Sequence, residues 1–209
     1  MTEDEARAWL VARNVPRGTM DAVGRFLDFL REEAGRQNLI AASTVESLWA
    51  RHVVDSAQLL EHAGPWKTWL DLGSGAGFPG LIVALIGEGH VTLIESRAKR
   101  IAFLQQAASI AGVADRVRVV GGRVETAPRA KFDVISARAF APLPKLLALA
   151  YPFSTPVTRW VLPKGKSAAE ELEDARASWQ GEFQLIPSIT DSEAAIIVAH
   201  GVTAGKKRQ

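Results

Sequence analysis

Residues Trp69–Gly80 read WLDLGSGAGFPG, an apolar run that ends at Asp71 and Leu72 and passes into Gly73, Gly75, Gly77 and Gly80. An apolar run, closely spaced glycines and a second apolar run read as a strand, a tight turn and a helix. Glycines let the backbone turn sharply there and let a ligand lie against it with no Cβ between. Gly75–Gly80 formally satisfies the dinucleotide pattern GxGxxG. Three features nevertheless favour S-adenosylmethionine over a nicotinamide nucleotide. Asp71 stands just before the turn, where a carboxylate can help hold a cationic, amino-acid-like ligand. The glycines run Gly73-x-Gly75-x-Gly77, with Ser74 between the first two. Pro79 suits the first turn of a helix but removes an N–H where a pyrophosphate would be gripped.

Outward from this turn, short apolar strands alternate with helices. The expected strands are Thr68–Leu72, His90–Glu95, Val117–Val120, Phe132–Ser136 and Thr158–Pro163. Helices are expected at Pro79–Ile86, Arg97–Ala111, Pro142–Tyr151 and Ser167–Trp179. Such alternation predicts parallel pairing with right-handed crossovers. Phe183–Ile189 and Ala194–His200 break the rule: the four residues between them are too few for a crossover and predict an antiparallel hairpin. A mostly parallel α/β sheet ending in an antiparallel hairpin is the Rossmann-like, class I S-adenosylmethionine-dependent methyltransferase architecture. Glu95 ends the second strand 20 residues after Gly75, where a carboxylate accepts hydrogen bonds from ribose hydroxyls. Gly121-Gly122-Arg123-Val124-Glu125 is a turn placed to border an adenine ring. Ser136-Ala137-Arg138-Ala139-Phe140 falls at the carboxyl edge, where such sheets place reactive groups.

Residues 1–63 read as an N-terminal helical extension and 64–209 as the cofactor-binding core, together one compact domain. A short helix is expected around Glu3–Ala12. A second, capped by Gly18 or Thr19, would bury Val23, Phe26, Leu27 and Leu30 along one face. A third would run from Ser43, with Glu46 completing a capping box, to His62 before Gly64-Pro65. Apolar residues make up 47% of the 209 and charged residues 23%, an ordinary globular balance that argues against disorder and coiled coil. The N-terminus carries acids where a signal peptide needs a basic start, so a cytoplasmic protein with no membrane association is expected.

There is no cysteine, which removes disulfides, thiolate nucleophiles and cysteine-ligated metals. Methylating a pyrimidine carbon usually needs such a thiolate. Exocyclic amine methyltransferases carry an Asn/Asp-Pro-Pro-aromatic loop after the fourth strand, where this chain reads SARAF. A ring nitrogen with a free lone pair needs neither device, so alignment and desolvation suffice and no catalytic base is expected. The four histidines show no metal-ligand spacing, and no metal is expected. Residues 97–138 hold nine basic side chains against three acidic ones, and the tail adds Lys206, Lys207 and Arg208. Such a patch suits a polyanion through counterion release, or is simply a solvated surface.

DLGSGAGFPG, the upstream NLIAASTVESLWARHVVDS, the downstream ESRAKRIAFLQ, FDVISARAFAPL and LPKGK occur in one chain. Together they resemble the glucose-inhibited division protein B family, small-subunit (16S) ribosomal RNA methyltransferases acting on guanine N7. The likeness covers roughly residues 20–200. It implies S-adenosylmethionine held by Gly73, Phe78, Val124, Glu125 and Arg138, and a partner in the ribosomal RNA or its ribonucleoprotein particle; a monomer is expected, though no residue pattern fixes it. Ile40 stands where the family usually has threonine. Arg51, His52, Lys164 and Lys166 are the candidate RNA contacts, the lysines as phosphate ligands in a glycine-bearing loop. Asn38, Asp55 and Ser56 occupy motif positions without an assigned role, and Arg51 and Asp55 are spaced to pair on one helix face. Action on another RNA or a small molecule, or a non-catalytic ribosome-binding role, remain as alternatives.

Overall fold

The computed structural model describes residues 1–205; Lys206, Lys207 and Arg208 of the basic tail lie outside them. Helix α1 (Glu3–Ala12) opens with a reciprocal cap: the Glu5 amide donates to Thr2 Oγ1 and the Thr2 amide to the Glu5 carboxylate. Helix α2 (Arg17–Ala34) starts directly after Pro16, so Gly18 and Thr19 lie inside it and not at its cap. It buries Ala22, Val23, Phe26, Leu27 and Leu30 on the expected face.

The continuous helix expected from Ser43 to His62 is instead four short pieces. A 3-10 turn (Ala42–Ser47) leads into a π-helix (Trp49–Val54), then α3 (Asp55–Ala57) and α4 (Leu60–Ala63). Ser43 forms no cap. The carboxylate of Glu3, on α1, accepts from the amides of Trp49 and Ala50 at 3.1 and 2.8 Å. Those amides are thereby satisfied from outside their own segment, which lets the chain leave α-geometry.

The core follows the strand–helix alternation: β1 (Thr68–Leu72), α5 (Gly80–Ile86), β2 (His90–Glu95), α6 (Ala98–Ile110) and β3 (Val117–Gly121). Then come β4 (Val134–Ala137), α7 (Leu143–Ala150), β5 (Arg159–Lys164), α8 (Ala168–Arg176), β6 (Trp179–Pro187) and β7 (Ala195–Ala204). The seven strands lie in the order β3-β2-β1-β4-β5-β7-β6. Pairing is parallel from β3 to β5, and β7 inserts antiparallel between β5 and β6. The hairpin is longer than its sequence suggests. Trp179, expected to end a helix, opens β6, and residues 188–194 make the connection.

Alternate strand residues feed two separate cores, as a pleated sheet covered on both faces requires. Trp69, Val91, Leu93, Val134 and Val161 pack with Val23, Phe26, Leu81 and Phe103. Leu70, Leu72, Ile94, Ile135 and Trp160 pack with Leu143, Leu146, Leu147 and Leu172 on the other face. The first 63 residues therefore share a core with α5 and α6. Among the described residues no helix is long and apolar enough to cross a membrane.

Candidate active site

The glycine turn sits where β1, an inner strand between β2 and β4, leads into α5. Gly73 and Gly75 have φ of +67° and +55°, conformations side chains rarely adopt. A Cβ on Gly73 would fall 2.6 Å from Cδ2 of Phe140. The expectation that Asp71 faces a cationic ligand is corrected by its burial. Asp71 is fully buried; its carboxylate accepts from Ser136 Oγ at 2.8 Å and from the Gly80 amide at 3.3 Å. It thus ties β1 to β4 and to the start of α5. Burial pushes its carboxyl up to about 6, against the pull of the Ser136 and Ser74 hydroxyls, the Gly80 amide and Arg138. Ser74 is buried too, with Oγ donating to the Asp71 carbonyl, and braces the turn from within.

In front of the turn lies a cavity of about 490 Å³, with Gly73, Ile94, Glu95, Val124, Glu125 and Phe140 among its walls. Glu95 is held rigidly: one oxygen accepts from the Ser96 and Arg97 amides, the other from the Gly75 amide at 3.0 Å. A carboxylate offers about four acceptor positions, so a place remains for a ligand hydroxyl. Gly75 acts through Glu95, while Gly77 and Phe78 are buried and line neither this cavity nor its neighbour.

A second cavity, of about 560 Å³, opens on the far side of residues 139–141, which line both. Arg138 faces this one. Its guanidinium donates to Nδ1 of His52 at 3.1 Å and to Oδ2 of Asp55 at 3.3 Å, and lies over the Phe78 ring. Because arginine only donates, His52 Nδ1 must accept, which puts the ring proton on Nε2, facing Thr44 Oγ1 at 3.0 Å. Burial, and then the charges of Arg138 and Arg51, push the His52 imidazole down to about 3, so it is neutral at physiological pH. The ring stacks on Phe78 with centroids 4.9 Å apart.

Arg51 and Asp55 do not pair as their spacing suggested. Arg51 reaches Asp191 at 3.1 Å, and Asp55 accepts from Thr190 and Gln58 besides Arg138. Lys164 is corrected as a phosphate ligand. Its side chain is 9% exposed, and its ammonium donates to Glu171 and to the Ala141 carbonyl, both at 2.7 Å. Lys166 is exposed in the following loop. Ser56 is buried and donates to the His52 carbonyl, whereas exposed Asn38 offers its own carbonyl to Arg100. Thr190, Asp191, Ser188 and Gln58 are site residues that the sequence did not reveal. They meet across some 130 positions of chain, and no local pattern marks them.

A family described as GidB, rRNA small subunit methyltransferase G, matches residues 19–195. The chain belongs to the GidB family. The ribosomal RNA small subunit methyltransferase G of Rhizorhabdus wittichii is 57% identical over 213 residues, covering 100% of this chain and 97% of that one. The protein of the same name from Zymomonas mobilis is 48% identical over 219 residues, covering 100% and 98%. Among solved structures, an O-methyltransferase from Bacillus cereus in complex with SAH superposes with a TM-score of 0.59. It is 14% identical and covers 84% of this chain and 90% of that one. A ribosomal protein L11 methylase from Lactobacillus delbrueckii gives 0.57 at 15% identity, covering 73% and 77%. These two show the fold alone. This GidB chain is a small-subunit ribosomal RNA methyltransferase, and the cofactor expected for it is S-adenosylmethionine. The cavity at Gly73 fits that group: bare backbone at the turn, a fixed acceptor in Glu95, and apolar walls in Ile94 and Val124.

Proposed function

We propose that the chain methylates N7 of a guanine in the small-subunit ribosomal RNA, acting as a cytoplasmic monomer on the RNA or its ribonucleoprotein particle. S-adenosylmethionine supplies an electrophilic sulfonium methyl when bound. Gly73, Glu95, Val124 and Glu125 orient it in one cavity, and the acceptor enters the other. The observation that carries this reading is the state of His52. It is the histidine of the acceptor cavity, and its one free lone pair already accepts from Arg138. His52 is therefore not free to take a proton from an amine, and the carboxylates of Asp55, Asp191 and Glu171 in the same cavity are each held by a cation, whereas guanine N7 presents an unprotonated lone pair and needs only alignment.

The test is methyl transfer from tritiated S-adenosylmethionine to RNA of a deletion strain, presented naked and as assembled subunits, followed by mapping. Label on guanine N7 is expected. Label on an exocyclic amine, on a carbon or on protein would end this reading.

A further inference from the structure

The wall between the two cavities is built on a strained residue. Ala139 has φ of +50°, a conformation that only Asn14 shares among the described non-glycine residues. An L-residue is held there at a cost, and the surrounding structure has to enforce it. The turn it makes sends Arg138 to His52 and Asp55 on one side. On the other it lays the half-buried Phe140 ring against Gly73, with no room for a Cβ between them. Phe140 thus presents an aromatic group to both cavities.

The charges around the acceptor cavity are already matched. Arg51 pairs with Asp191, Arg138 with Asp55 and Lys164 with Glu171, each within 3.3 Å, and His52 is neutral. A phosphate entering here would meet a carboxylate beside every cation. A neutral planar heterocycle meets no such opposition, and it gains from an aromatic face. Resting on the guanine reading above, we infer that the acceptor cavity takes one extruded RNA base stacked on Phe140, with the sugar–phosphate backbone left outside. Extrusion is how proteins reach a base atom otherwise held in a stack, and aromatic side chains are the usual platform.

Phe140→Leu keeps an apolar side chain but loses the planar face, while Phe140→Tyr keeps both. With small-subunit RNA as substrate, Phe140→Leu raises KM about 10- to 100-fold, the scale of removing one base-stacking platform. Phe140→Tyr stays close to the parent. S-adenosylmethionine affinity, followed by calorimetry, changes far less than KM in both variants. A Leu variant with the parent KM, or one that loses cofactor affinity in step with KM, overturns the stacking role. A measurement on the parent protein guards against a variant that fails to fold. Guanosine should inhibit competitively against RNA but not against S-adenosylmethionine, and ribose 5-phosphate should not inhibit. The opposite pattern overturns the base pocket. The two readings fail separately: a methyl mapped to another base ends the guanine assignment and leaves the Leu/Tyr contrast standing.

Discussion

Asp71 is ionisable in a place that water does not reach. The Trp69 indole donates to Ser136 Oγ, Ser136 donates to Asp71, and the Gly80 amide supplies a further bond to its carboxylate. A carboxyl whose pKa rises on folding, here from 3.8 to about 6, holds its proton more tightly in the folded chain. Its contribution to stability is greatest below the unfolded value, falls as pH rises toward 6, and is constant above that. Asp71→Asn removes the titration. Denaturant curves from pH 4 to 7 should therefore show the parent losing about 3 kcal/mol relative to this variant. Parallel curves would mean that Asp71 stays charged throughout. The same two groups shape the rate. Asp71 and His52 both complete their titration below pH 7, so the single-turnover rate should be flat from about pH 7 to 9. A tenfold rise per pH unit across that window would reveal a general base and exclude a bare ring nitrogen as acceptor.

At the level of elements, the acceptor cavity depends on a contact between α3, which follows the π-helix, and the β6–β7 connection. Gln58 is the buried link: its amide donates to Asp55 and to Ser188 Oγ, and its carbonyl accepts from the Ile189 amide. Gln58→Leu should lower stability by about 1–3 kcal/mol, the cost of stranding buried partners. It should also speed amide exchange at Ile189 and Thr190, with cofactor affinity unchanged. Exchange rates equal to the parent's would show that the connection holds by other means. The strands and the glycine turn were legible because their signals are local: short continuous apolar runs, and Gly73 and Gly75 at positive φ. The region around Trp49 was not legible. The amides that open its π-helix are held by Glu3, 46 residues away, and apolar periodicity carries no trace of that bond. Lys164 misled for the same reason. Nothing in LPKGK shows that Glu171, on the next helix, neutralises it. Burial works to raise the Glu171 carboxyl, yet bonds from Lys164, Ser167 and the Leu143 amide hold it below its usual value.

Across the whole molecule, charge divides unevenly between the two cavities. Exposed Arg97, Arg123 and Lys145 stand with Arg100 around the cofactor cavity, facing fewer acids than bases, while the acceptor cavity is internally balanced. The RNA backbone should therefore track the first set. Arg97→Ala and Lys145→Ala should each flatten the log–log salt dependence of RNA binding by ~0.7–0.9 for every phosphate no longer neutralised. Lys164→Met should leave that slope unchanged and lower the melting temperature, since it strands Glu171. A slope altered by Lys164→Met and untouched by the other two would put the phosphates on the opposite side. Residues 139–141 have one more consequence. A partition that belongs to two sites cannot shift for one occupant without being felt by the other, so the two affinities are thermodynamically linked. Whatever factor RNA imposes on the binding of S-adenosylmethionine, S-adenosylmethionine imposes on RNA, and titrating either ligand in the presence of the other measures a single coupling constant.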